Sequence, residues 1–316
     1  MARRTRLGFA LWGLLAVCGS GLAQYPTKPI RLVVPYTAGS DADFAARNLA
    51  QQAAKYLDHQ TIVVDNRPGA SGAIGTMVAR KAPADGYTLL LARIASQVIL
   101  PAIDSKTPYR WNDFTLLGLI DLNPYVCVAP GTAPYRSMKG LVDTIRKRPG
   151  QLNFATVGPG TLQNFGPQYL FSLLGLPAGA AVAVPYKGSG DLAAALLGGH
   201  VDFACSNLGA LLPYLRSGAL RGLMTTTREP LQDLPQVPTA RSLGWADMER
   251  FAAWSALAAP PELPSSVVKR WADTLAQLAH DSQWLAGNAT LGSIPSIRPP
   301  ADTATFVREQ YRLYEK

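Results

Sequence analysis

One order of strands, loops and helices occurs twice along this chain of 316 residues, and it constrains the fold more than any other feature. β-Branched apolar runs typical of buried strands alternate with segments whose apolar residues recur at helical spacing. In the first copy we expect strands at 30–35, 61–64 and 87–91, with loops 36–41 and 66–72 leading into helices. In the second copy we expect strands at 153–157, 181–184 and 201–205, with loops 158–161 and 186–190 leading into helices.

This alternation predicts an α/β protein with two lobes, each a mostly parallel sheet flanked by helices, because right-handed crossovers join parallel strands. In such sheets ligands bind beyond the carboxyl ends of the strands, where all of these loops lie. The loops also open helices, whose free N–H groups and positive dipole ends suit an anion. The sequence therefore predicts a cleft for a carboxylate or another small oxyanion.

The charge distribution argues against a nucleic-acid partner. The formal net charge is +9, and three of the positive charges are Arg3, Arg4 and Arg6. The remaining basic residues are scattered, whereas a nucleic-acid-binding protein concentrates them on one face or arm. With 48% hydrophobic and 16% charged residues, the chain has the composition of a globular protein with a mildly basic surface, and we expect a monomer.

The N-terminus has the three parts of a secretory signal peptide over residues 1–23. The three arginines precede an apolar run from Leu7 to Val17, and Gly21-Leu22-Ala23 places small residues before Gln24. That run is too short for a permanent membrane span. Lipidation at Cys18 is the alternative, but Val17 fits a lipoprotein signal poorly. We therefore expect cleavage and a mature protein outside the cytoplasm.

Two cysteines, Cys127 and Cys205, remain after that cleavage, each in a short apolar run typical of a strand. An oxidising compartment would allow a disulfide between them. The alternative, which we expect, is two buried thiols that pack as small hydrophobic side chains.

No motif for catalysis, nucleotide binding or metal binding is complete. Gly158-Pro159-Gly160 begins like a dinucleotide fingerprint, but Gln163 replaces its last glycine. Gly69 to Ala73 lacks the final glycine of a nucleophile elbow. The three histidines, which have no metal-ligand spacing and which we expect at the surface, are His59, His200 and His280.

Five longer motifs make the chain resemble a known family. They are 25–35 (YPTKPIRLVVP), 66–75 (NRPGASGAIG), 85–90 (DGYTLL), 184–189 (VPYKGS) and 234–239 (LPQVPT). In this order, over essentially the whole mature chain, they resemble the TctC-like Bug family, the solute receptors of tripartite tricarboxylate transporters.

The resemblance implies a periplasmic, two-lobe Venus-flytrap protein of type II topology, without catalysis and without a cofactor. Lobe one would comprise 25–124 and 250–316, and lobe two 125–249, with the tail helix packed on lobe one. The ligand would be a small organic acid, held by amides and hydroxyls of both lobes as the hinge closes, and the partner a membrane transporter complex. A ligand sensor with a membrane signalling partner, or a secreted enzyme on the same fold, are the alternatives.

In lobe one the resemblance carries binding roles to Tyr36, Thr37, Gly39, Ser40, Asp41, Asp43, Arg93 and Ser96. The family pattern Gly-Gly-Gly-Ser/Thr-Asp is altered here, because Ala42 lacks the hydroxyl and Asp41 adds a negative charge that disfavours a nearby carboxylate. Arg93 is unusual in its loop and could clamp a carboxylate through two hydrogen bonds. Alternatively, it pairs with Asp41 or Asp43, or faces solvent.

In lobe two the resemblance carries binding roles to Thr156, Gly158, Gly160, Thr161, Tyr186, Lys187, Gly188 and Ser206. Ser206 takes the place of an aspartate that commonly ends the sixth strand, so an amine would lose its counter-charge unless Asp41 replaces it. Tyr36 and Trp254 could pack a ligand ring, or belong to the core. These departures favour an organic acid other than the commonest ones.

Overall fold

The computed structural model describes residues 25–315, so the predicted signal peptide lies outside the described residues. The strands are β1 (Ile30–Val34), β2 (Ile62–Asn66), β3 (Thr88–Arg93), β4 (Thr115–Asn123), β5 (Tyr125–Pro130), β6 (Asn153–Thr156), β7 (Val182–Pro185), β8 (Phe203–Asn207), β9 (Leu220–Thr225), β10 (Ala253–Ala259) and β11 (Ile294–Arg298). The helices are α1 (Asp41–Ala53), α2 (Ala73–Arg80), α3 (Leu100–Ile103), α4 (Met138–Lys147), α5 (Leu162–Leu173), α6 (Ser189–Leu197), α7 (Leu212–Arg216), α8 (Ser265–Leu278), α9 (Ser282–Thr290) and α10 (Pro300–Tyr314). Among these described helices, none is both long and apolar enough to cross a membrane.

The first sheet has the order β11-β4-β10-β3-β1-β2. Strands β2, β1 and β3 pair in parallel, as the first copy of the repeat predicts. Strand β10 pairs antiparallel with both β3 and β4, and β11 pairs antiparallel with β4. Four of the six strands therefore run in one direction, and the ligand-side edge is the one where β1 and β3 end.

The second sheet has the order β7-β6-β8-β5-β9 and repeats this arrangement. Strand β6 pairs in parallel with β7 and β8, whereas β5 pairs antiparallel with β8 and β9. Strands β5 and β10 hold the same place in their sheets, and each follows a passage of the chain from the other sheet. A strand that arrives from the opposite lobe enters at the carboxyl edge, so it runs against its neighbours. The predicted α/β class is confirmed.

Helices pack on both faces of the first sheet, so the four apolar residues of β1 are buried whichever face they point to, and Arg31 is the exception with a partly exposed side chain. Ile30, Leu32 and Val34 pack in one apolar cluster with α1, while Val33 packs in a cluster on the other side. All four are at most 1% exposed. Apolar residues on both faces of one strand are typical of sheets buried on both faces.

A disulfide joins Cys127 of β5 to Cys205 of β8, which corrects the expectation of two separate thiols. The two residues lie directly opposite each other in the antiparallel β5–β8 pair. Both are fully buried, as expected for cysteines in apolar runs. The sequence reasoning missed the bond because it placed no antiparallel strand beside β8.

The C-terminal helix α10 packs on the first sheet and also reaches the second. The Thr303 hydroxyl accepts a hydrogen bond of 2.7 Å from the Leu119 amide of β4. At the other end of α10, the Tyr314 ring lies 5.6 Å from the ring of Phe165 in α5. Trp254 packs against Phe306 of α10 and is fully buried, so it is a core residue and does not face the cleft.

Candidate functional site

The loops at the carboxyl ends of the parallel strands meet between the two sheets and enclose a cavity of about 40 Å³, the inner chamber. Its wall includes the residues that precede three helices: Ser40 before α1, Thr161 before α5 and Gly188 before α6. Helix N-termini from both sheets therefore converge on one space. Their free N–H groups and dipoles favour a bound anion there.

The two sides of the cleft touch each other, so the structure shows the closed arrangement. A Cβ atom added to Gly188 would lie 3.0 Å from the Thr37 hydroxyl oxygen across the cleft. One added to Gly158 would lie 3.6 Å from the Ser71 hydroxyl oxygen. The inner chamber is consequently small and has room for a few water molecules.

Asp41, the first residue of α1, makes side-chain hydrogen bonds across the cleft. Its carboxylate forms a short ion pair with Arg93, which extends from the end of β3. From the second sheet, the Ser189 hydroxyl donates a hydrogen bond of 3.1 Å to Asp41 Oδ1, and Asn207 Nδ2 donates one of 2.6 Å to Oδ2. The pairing with Asp41 is one of the alternatives that the sequence left open for Arg93.

Arg93 makes a second side-chain contact, with a residue of β10. Its second terminal nitrogen donates a hydrogen bond of 2.6 Å to the Ser255 hydroxyl, and its side chain is 5% exposed. Under Ser255 lies Asp121, which accepts hydrogen bonds from the Ser255 amide and from Asn123. Burial raises the pKa of the Asp121 carboxyl, against the opposing attraction of the Arg93 guanidinium. This network fixes Arg93 towards Asp41.

A wider space of about 370 Å³, the outer chamber, adjoins the inner one. Tyr36, Thr37 and Lys187 line both chambers, while Tyr186 and the loop from Pro68 to Gly72 line the outer chamber. Burial raises the pKa of Tyr36 to about 12, although nearby Arg93 opposes the shift, so the hydroxyl stays protonated. Lys187 is exposed and has no ion-pair partner within residues 25–315, which leaves its charge available to a ligand.

The structure brings together part of the predicted lobe-one set. Tyr36, Thr37, Ser40, Asp41 and Arg93 line the inner chamber. The other predicted residues of this lobe do not line the inner chamber but make hydrogen bonds next to it. The Gly39 amide and Arg47 donate hydrogen bonds to Asp43, and Ser96 is fully buried beneath Arg93. Burial would raise the pKa of Asp43, but those two hydrogen bonds outweigh it and hold the pKa below its ordinary value.

In the second lobe, Thr161, Lys187 and Gly188 line the inner chamber, and Tyr186 the outer one. The remaining predicted residues lie in or behind the loop that precedes α5. The Thr161 hydroxyl donates a hydrogen bond of 2.7 Å to the Gly158 carbonyl, and Thr156 accepts one from the Gly158 amide. A Cβ atom added to Gly160 would lie 3.5 Å from the Ser71 hydroxyl oxygen.

Ser206 lies behind the chamber wall, where its hydroxyl accepts a hydrogen bond of 3.3 Å from Gln163. Its neighbour Asn207 faces the cleft instead. Successive side chains of a strand point to opposite faces, so only one of these two can reach the ligand side. Of this pair, Asn207 lines the inner chamber and the predicted Ser206 does not.

Three polar residues of the inner chamber were absent from the predicted set: Gln163, Ser189 and Asn207. A signal existed for Ser189, because it follows Gly188 at the start of α6, where a hydroxyl can face the same space as the helix N-terminus. Gln163 and Asn207 carried no comparable signal. Their orientation depends on which face of α5 and β8 is turned towards the first sheet.

Comparison with known proteins agrees with the fold. The sequence profile of the tripartite tricarboxylate transporter family receptors, TctC, matches residues 45–309. Protein BugT of Bordetella pertussis is 31% identical over 319 residues, which cover 95% of both chains. The structure of the periplasmic binding protein BugD superposes with a TM-score of 0.85 at 28% identity, covering 92% of this chain and 96% of that one. R. palustris Rpa4515 with adipate superposes with a TM-score of 0.86 at 28% identity and the same coverage.

Proposed function

This chain belongs to the tripartite tricarboxylate transporter receptor family, and on that premise we propose that it captures a small organic acid in its cleft for uptake by a membrane transporter. One observation carries the proposal: the N-termini of α1, α5 and α6 converge on a single chamber from both sheets. A carboxylate placed there would meet helix dipoles from both sides. Lys187 at the chamber mouth would add a direct ionic contact.

The proposed mechanism is closure of two lobes around a hinge. We assign 25–124 and 250–316 to lobe one and 125–249 to lobe two, because the strands of each sheet come from these segments. The chain passes between the sheets at Pro124, directly between β4 and β5, and again before β10. A ligand that contacts both lobes binds the closed state better and therefore shifts the population towards it.

We assign no catalytic step to this cleft. The two serine hydroxyls of the inner chamber are engaged, because Ser40 accepts from the Asp43 amide at the start of α1 and Ser189 donates to Asp41. All three histidines are exposed and none lines either chamber. The arrangement therefore supports binding without turnover, in line with the binding proteins to which the chain is similar.

We also propose that the chain works outside the cytoplasm, after removal of residues 1–23. The charged start, the apolar run and the small residues before Gln24 support this, and BugD is a periplasmic binding protein. Expressed from its full sequence in a bacterium with two membranes, the protein should be recovered from the periplasm with Gln24 as its N-terminal residue. Recovery from the cytoplasm with residues 1–23 still attached would refute the proposal.

The binding function is tested by thermal-shift screening of the mature protein against organic acids with one or two carboxylates, including adipate. We expect at least one acid to raise the melting temperature, and Lys187→Met to weaken its binding by about tenfold, because one ion pair at the chamber is lost. Lys139→Met is the matched control, since Lys139 is an exposed lysine of α4 and lines neither chamber. Stabilisation by sugars or amines, with none by any acid, would show that the ligand class is wrong.

A further inference from the structure

The carboxylate of Asp41 is bound as a free ligand would be bound in a cleft of this kind. It receives hydrogen bonds from Arg93 on one sheet and from Ser189 and Asn207 on the other. These three donors belong to three separate elements, the ends of β3 and β8 and the first residue of α6. The side chain of Asp41 is 11% exposed, so its contacts lie within the closed cleft.

The donors around Asp41 are held in place by contacts other than those with Asp41 itself. Arg93 is fixed from behind by Ser255, whose amide is bonded to the buried Asp121. Ser189 and Asn207 are each at most 5% exposed. A buried guanidinium that loses the carboxylate bonded to it is destabilised, so this group of donors favours an acceptor in the closed state.

We propose that Asp41 is a tethered carboxylate that fills a carboxylate subsite formed by Arg93, Ser189 and Asn207. The inference rests on the proposed binding of organic acids in this cleft and narrows their class. Asp41 already occupies that subsite. If the ligand carried two carboxylates, the second could not bind there and would be repelled by Asp41. The acid that this receptor takes therefore carries a single carboxylate, bound near Lys187 and the helix N-termini. Asp41 is thus a residue that determines specificity.

The direct test uses formate to replace the deleted group. Asp41→Ala removes one carbon and two oxygens, the heavy atoms of formate, and leaves the three donors free. The variant should melt below the wild-type protein in chloride buffer, and saturating formate should raise its melting temperature by about 5 °C. Asp41→Asn is the matched control, because it loses the charge but keeps the space filled. A formate response in Asp41→Ala no larger than in Asp41→Asn overturns the proposal.

A second measurement tests the wild-type protein directly, with the subsite still filled by Asp41. Hexanoate and adipate have chains of equal length and differ by one carboxylate. The wild-type protein should bind adipate no more tightly than hexanoate, whereas Asp41→Ala should bind adipate at least about tenfold more tightly than hexanoate. A wild-type preference for adipate over hexanoate of that size overturns the proposal, even if Asp41→Ala fails to fold.

The two measurements separate this inference from the function on which it rests. If formate restores Asp41→Ala but no acid binds the wild-type protein, the tethered carboxylate stands and the receptor function fails. If an acid binds the wild-type protein but formate has no effect on Asp41→Ala, the receptor function stands and the tethered carboxylate fails.

Discussion

Replacing Gly188 with valine should weaken ligand binding by about 100-fold while leaving the fold intact. In the closed structure, a Cβ atom at this position would already lie 3.0 Å from the Thr37 hydroxyl oxygen of the opposite lobe. The two γ-methyl groups of valine extend beyond the Cβ atom and would fill more of the space between the lobes. The cleft would then stop short of closure, and the ligand would lose its contacts with one lobe. Titration calorimetry, with the acid that stabilises the wild-type protein most, measures the effect.

The substitution isolates closure because Gly188 has an extended backbone that any residue adopts, with φ −170° and ψ 176°. Gly190→Val is the matched control, since no atom lies within 4 Å of a Cβ added there. We expect wild-type affinity and stability for that variant. Small-angle scattering of the ligand-free proteins should show a more extended shape for Gly188→Val alone. Full affinity in Gly188→Val would mean that the ligand does not require the closed cleft.

Reduction of the Cys127–Cys205 disulfide should lower the free energy of unfolding by about 4 kcal/mol, the second large effect that we expect. The bond joins residues 78 positions apart, so reduction releases a long loop in the unfolded chain. Urea unfolding of the wild-type protein, oxidised and then reduced and refolded, measures the difference without any change of side chain. Ligand affinity should be unchanged, because neither cysteine lines the inner or the outer chamber.

The double variant Cys127→Ala, Cys205→Ala provides the control for the reductant. Its stability should not respond to reduction, and it should lie close to that of the reduced wild-type protein. Mass spectrometry of the native protein gives an independent reading. A mass that corresponds to two free thiols would contradict the disulfide and restore the interpretation of two buried cysteines.

The repeated strand–loop–helix order was sufficient to predict the α/β class and the parallel part of both sheets. It was insufficient for β5 and β10, because their antiparallel direction arises from the passage of the chain between lobes and not from local sequence. The disulfide was not predicted for the same reason, because only an antiparallel β5 places Cys127 opposite Cys205. Local periodicity predicts elements, whereas register across a lobe boundary depends on the assembled fold.

The partner of Arg93 could have been chosen from the sequence with one further step. Asp43 has Arg47 four residues later on the same helix, a spacing that favours an ion pair, and the structure contains that pair. Asp41 has no basic residue at that spacing, because Ala45 occupies the position. It was therefore the acid left for Arg93. Its contacts with Ser189 and Asn207, in contrast, depend on how far the two lobes close, which no local pattern records.

The position of Tyr314 has a consequence for how the receptor sets its affinity. Its ring contacts Phe165 of α5 and Phe251 near the second chain crossing, while the rest of α10 is bound to the first sheet. Opening that moves α5 away from the first sheet would break the contact between Tyr314 and Phe165 or bend α10. That contact would then favour the closed state from a point outside the pocket. Because apparent affinity scales with the fraction of molecules in the binding-competent state, substitutions of Tyr314 would change the affinity for the ligand without changing which solute is bound.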